Sequence, residues 1–176
     1  MPAAWYEALD ERFADAEKDG PVGEVPTIVM DAECDLTDSV GIAGEPTERQ
    51  SGSGVRTLGT SGHSLVCTFS GPSVDLSINR FSDASELPAV DAGRRATTES
   101  GNEQTEQEIV LGSRTFVVVR KSFPTNDSHI DYGVTYLDTA GMGLVRLDVE
   151  TTDDRGLIDS YTAQQAAQDL AALLDS

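Results

Sequence analysis

Two cysteines and two histidines carry most of the chemistry that this sequence could offer. Cys34 stands in Cys34-Asp35-Leu36, and Cys67 in Cys67-Thr68-Phe69. A lone even pair of cysteines in an acidic, lysine-poor chain predicts one structural disulfide and an oxidising, extracytoplasmic home. The competing reading is two free buried thiols in a cytosolic protein. His63 follows Gly59-Thr60-Ser61-Gly62, which sets a serine beside a histidine as hydrolysis would require. The run is not Gly-x-Ser-x-Gly, and neighbours in a glycine turn lack the orienting carboxylate of a triad. His129 lies in the polar strip from Thr125 to Tyr132, which joins two strands and could line a pocket mouth. A pocket would be built from His63, His129, Tyr132 and Phe69.

Other constellations fail on stated grounds. Asp31-x-Glu33-x-Asp35 imitates the start of a calcium loop, but Leu36 stands where the turn needs glycine. Ile42 stands where the bidentate carboxylate belongs. The glycines from Gly52 to Gly59 lack the lysine and the strand–helix context of a phosphate loop. Two cysteines with widely separated histidines lack zinc-ligand spacing. The expectation is no catalytic residue, no metal and no cofactor.

The formal net charge is -19, from 31 acidic against 12 basic side chains. A polyanion repels phosphates, so nucleic acids and anionic membrane surfaces are excluded as direct partners. The lysines are Lys18 and Lys121, and the only adjacent cations beside Arg120-Lys121 are Arg94-Arg95. The same acidity fits salt adaptation. No apolar run is long enough to cross a bilayer. No signal peptide is read at the start, so export would need a leader or anchor outside this sequence.

The elements that must position these residues follow from periodicity. Residues 2–18 read as a helix with Trp5, Leu9 and Phe13, and Ala8 and Ala16, on one stripe. Thr27 to Met30 reads as a strand, Asp35 to Ile42 as a short helix, and Gly44 to Gly62 as a loop. Leu65, Cys67 and Phe69, then Val74, Leu76 and Ile78, alternate about Gly71-Pro72 as a hairpin with one buried face. Asp83 to Arg95 reads as a helix interrupted at Pro88, and Thr97 to Gln107 as an exposed loop. A second hairpin covers 108–121, with Phe116 to Val119 apolar on both faces and placed centrally. Strands over 131–138 and 144–151 meet at a glycine turn, and a last helix runs from Thr162 to Leu174, capped by Thr162 or Ser160. Gln165 would complete its capping box.

That order predicts a single domain over residues 1–176 of class α+β. Six to seven antiparallel strands would be flanked by N- and C-terminal helices.

The two cysteine motifs resemble those of actinobacterial cell-envelope lipoproteins of uncharacterised function. In that family an early Cys-x-Leu, a short helix and a glycine precede a Cys-x-aromatic on a strand. Here Cys34-Asp35-Leu36, Gly41 and Cys67-Thr68-Phe69 fit that order. The helix–sheet–helix order also resembles the PsbP-like fold, an α/β/α sandwich found in photosystem accessory proteins and mycobacterial lipoproteins. The resemblance implies a non-enzymatic, envelope-associated binding or scaffold domain, an accessory to a membrane or envelope-lipid transport complex. Its partner would be an envelope protein or a small hydrophobic or lipid ligand. The alternatives are a secreted hydrolase using His63 or His129, and an intracellular salt-adapted protein.

Overall fold

A computed structural model gives the architecture. It describes residues 2–18, 29–31, 37–49, 54–57, 62–70, 73–81, 83–97, 102–123, 126–152, 157 and 159–176. The chain opens with α1 (Pro2–Lys18) and the short strands β1 (Val29–Asp31), β2 (Gly41–Ile42), β3 (Glu45–Pro46), β4 (Glu48–Arg49) and β5 (Gly54–Thr57). The long hairpin β6 (Gly62–Ser70) and β7 (Ser73–Phe81) follows, then a 3-10 turn over Ala84–Glu86 and α2 (Leu87–Gly93). A meander of β8 (Glu103–Leu111), β9 (Arg114–Phe123), β10 (Asn126–Asp138) and β11 (Gly143–Thr152) leads to α3 (Ala163–Asp175).

The six long strands, β6 to β11, form the body of one antiparallel sheet in the order β6-β7-β11-β10-β9-β8. β5 and then β1 extend it beyond β6, and β4 also pairs with β6. Register makes one face continuous. Cys67 pairs with Leu76, Leu76 with Leu147, Leu147 with Val134 and Val134 with Val118. All of these are buried in one cluster with Trp5, Tyr6 and Leu9 of α1 and Leu170, Leu173 and Leu174 of α3. Both terminal helices therefore cover the same face, α1 over β6 and β7, and α3 over β8 to β11. The third layer of the sandwich is the segment 83–97 on the opposite face. It lies there because the chain must pass from β7, inside the sheet, to β8 at its edge.

Several local expectations change. Residues 37–42 are not helical. Gly41–Ile42 pairs with Glu45–Pro46 around Ala43 and Gly44, both at positive φ, as a two-residue hairpin requires. Buried Thr47 closes this hairpin, its Oγ1 accepting from Val40 N at 3.1 Å and donating to Val40 O at 2.9 Å. The Gly44–Gly62 stretch contains β3, β4 and β5 rather than loop alone. Pro88 sits in the first turn of α2, where its missing N–H costs nothing, so it starts that helix instead of interrupting it. The expected loop over 97–107 becomes strand from Glu103. Its polar sequence suits an edge strand that is mostly exposed. Phe116 to Val119 lies one strand in from that edge, not at the centre.

α1 docks through a residue that the apolar stripe omitted. Tyr6 is buried against Gly143, and a Cβ added at Gly143 would overlap the Tyr6 ring. The Arg80 guanidinium covers that ring at 5.3 Å and bonds Asp10 at 3.4 Å. Gly143→Ala is expected to cost about 1–3 kcal/mol through overpacking. Shortening Tyr6 in the same chain, as Tyr6→Val, should recover part of it. Urea midpoints of the two single variants and the double variant check the coupling, and simple additivity would refute this docking.

Candidate functional site

The face away from the terminal helices is polar by the same alternation that makes the other face apolar. Three successive rungs cross it. Ser73, Glu150, Asp131, Lys121 and Gln104 form the first. Asp75, Asp148, Gly133, Val119 and Glu106 form the second, and Ser77, Arg146, Thr135, Val117 and Glu108 the third.

The segment after α2 roofs these rungs and is tied to β8. Arg95 Nη1 donates to Glu106 at 2.9 Å and to Glu108 at 2.6 Å. Ala96 N donates to Glu106 Oε2 at 2.9 Å, and Thr97 N to Gln104 Oε1 at 3.1 Å. Alternate residues of the edge strand thus grip successive residues of the roof. The Ala96 N–H, then the Arg95 guanidinium, holds the Glu106 carboxyl below its usual range. Beneath the roof is a cleft of about 420 Å³, adjoined on the α2 side by a second of about 490 Å³. Arg94, Arg146, Asp148 and Thr135 line both.

The charges in the first cleft are balanced in number, and several are paired. Arg146 grips Asp148 two-pronged, with Nε and Nη2 each 2.7 Å from a carboxylate oxygen, and this bond raises the guanidinium pKa. A Cβ at Gly133 would meet that pair at 3.0–3.1 Å, so glycine leaves it room. Arg94 holds Asp91 at 2.6 Å and lowers its pKa. Burial raises the pKa of Asp131 against the opposing pull of His129.

The residues singled out from sequence do not assemble. Phe69 and Tyr132 are buried in the core, where Tyr132 Oη donates to the Tyr161 carbonyl at 2.9 Å. His129 lies beside the cleft, with Nε2 2.8 Å from Asp131 and Nδ1 3.2 Å from Glu150. Both ring nitrogens face carboxylates, which leaves neither for a serine. The backbone of His63 pairs with Thr57 and Arg80, and the register continues to Gly143 and Asp138. Asp138 ends β10 while His129 lies near its start, so the histidines occupy opposite ends of the sheet. At about 3.3 Å per residue the separation is of order 30 Å. Cys67 is fully buried on the helix face and is not a free thiol. Cys34 lies outside the described residues, as do Ser61 and the carboxylates at 33 and 35. Among the described residues no group of three or more His, Cys, Asp or Glu could hold a metal, and no helix is long and apolar enough to cross a membrane.

The cleft residues Arg94, Arg146, Asp75 and Asp148 were missed as a group. Their only sequence signals are the adjacent Arg94-Arg95 and the polar positions of alternating strands. No family model, curated protein or solved structure matches this chain.

Proposed function

We propose that this chain is a non-enzymatic, extracytoplasmic binding domain of the cell envelope whose recognition surface is the cleft beneath residues 94–97. The observation that carries the binding role is a concentration of charge. Arg94, Arg95, Lys121 and Arg146 line this one cleft, four of the chain's 12 basic residues in a protein of net charge -19. Four carboxylates stand with them, so the lining is dense in charge of both signs. The engagement of both His129 nitrogens by carboxylates speaks against a hydrolase built on His129. The charged lining favours a polar ligand or the polar group of a partner over an acyl chain.

The location rests on a Cys34–Cys67 disulfide, supported by the absence of a free thiol at Cys67. Such a crosslink would stabilise the fold by about 3–4 kcal/mol in the chain-entropy account. Intact mass after alkylation in denaturant without reductant, on protein from its native compartment, should show neither cysteine alkylated. Free alkylation of both would instead support an intracellular, salt-adapted protein. The surface is tested with a photo-reactive side chain at Ser73 of the cleft and, as control, at Gln168 on the exposed side of α3. Envelope adducts should form from Ser73 alone. Equal adducts from both positions, or none, would count against the cleft.

A further inference from the structure

Two residues that line this cleft each carry a polar atom buried without a hydrogen-bond partner, one a donor and one an acceptor. The atoms are Nη1 of Arg94 and Oδ1 of Asp75. The Arg94 side chain is only 8% exposed, and its bonds to Asp91 come from Nε and Nη2. Nη1 therefore keeps its donor capacity unused. An orphaned buried polar group costs about 1–3 kcal/mol, more when it is charged. Both residues line the 420 Å³ cleft, a size that holds small molecules.

The lining has equal numbers of acidic and basic side chains. Asp75, Asp131, Asp148 and Glu150 stand against Arg94, Arg95, Lys121 and Arg146. A dianion such as phosphate meets four carboxylates there, and a simple amine leaves Arg94 unanswered. A ligand bearing one carboxylate and one ammonium answers both orphans with small side-chain rotations. We infer that the cleft is a binding site for a small zwitterion of the α-amino-acid type, its carboxylate on Arg94 and its ammonium on Asp75. The raised pKa of Asp131, caused first by burial, agrees with a wall that gains from an added ammonium. This inference rests on the cleft being the recognition surface.

The test is titration of the full chain with the free proteinogenic amino acids, followed by amide chemical shifts. The control probes are the matching amines, the matching carboxylic acids without the ammonium, and inorganic phosphate. At least one amino acid should shift Gly133 and Thr135 on the cleft floor. Its amine and acid analogues should bind at least roughly tenfold more weakly, the worth of one charge-assisted hydrogen bond. Arg94→Gln and, independently, Asp75→Asn should weaken the amino acid by a similar factor, each first checked for an unchanged melting curve. The Asp75→Asn variant keeps the side-chain shape and serves where Arg94→Gln fails to fold. Equal binding of a simple anion or amine would overturn the zwitterion and leave the cleft as a binding surface. No shift with any probe would also overturn it, water then satisfying the two orphans. Cleft-specific cross-links with no amino-acid binding would show that the ligand class is wrong and the surface right.

Discussion

Replacing Asp169 by alanine should lower stability by about 3 kcal/mol or more, a large share of what a domain of this size possesses. Asp169 is buried on the inner side of α3, yet its carboxylate is fully employed. Tyr161 Oη donates to Oδ2 at 2.8 Å, Gln165 Nε2 to Oδ1 at 2.8 Å, and Ala43 N to Oδ2 at 3.0 Å. The last bond crosses from α3 to the β2–β3 hairpin and holds Ala43 at φ 51°, a conformation disfavoured outside glycine. Alanine would strand three donors and release that turn. Asp169→Asn keeps an acceptor and should cost less. Urea unfolding checks both, and an Asp169→Ala loss below that of Asp169→Asn would refute the network.

The network also sets an alkaline limit. Burial, and then the Asp169 charge, pushes the Tyr161 phenol above its ordinary value, and burial does the same for Tyr6. The folded chain therefore holds phenolic protons that the unfolded chain releases near pH ~10. The corresponding stability is complete below that pH and is lost as pH rises beyond it. In Asp169→Ala the alkaline loss should shrink but persist, because burial remains.

The second large effect tests the two faces of the sheet. Leu147 is fully buried in β11 between Leu76 and Val134, at the middle of the core. Leu147→Ala should cost about 3–5 kcal/mol, the transfer loss plus the cavity it leaves. Arg146, the next residue, faces the other way and pairs with Asp148 while 46% exposed. Arg146→Ala should cost about 1 kcal/mol or less, because solvent screens the pair. A register slipped by one residue would reverse the order of these losses. Denaturant midpoints of the two variants decide it.

Where one periodicity dominated, local sequence was enough. The alternation in 65–69 and 74–78 and the closing glycine turn at 139–143 located the hairpins, and Thr162 located the start of α3. Its side chain accepts from Gln165 N at 3.2 Å. The Gln165 side chain, expected back at the cap, turns to Asp169, because a buried carboxylate competes more strongly for a donor than an exposed helix end does. Short strands escaped notice because two or three residues carry no period, and the first half of β8, 103–107, because an edge strand needs no apolar face.

The cleft had no local signal. Asp75, Gly133, Arg146 and Arg94 lie far apart in the chain, and each reads alone as a solvated polar position. Strand order sets three of them on adjacent rungs, and the crossover from β7 to β8 carries Arg94 above them. Alternation reveals which residues share a face within one strand. Which strands become neighbours, and what crosses over them, depends on long-range pairing that no window of sequence contains.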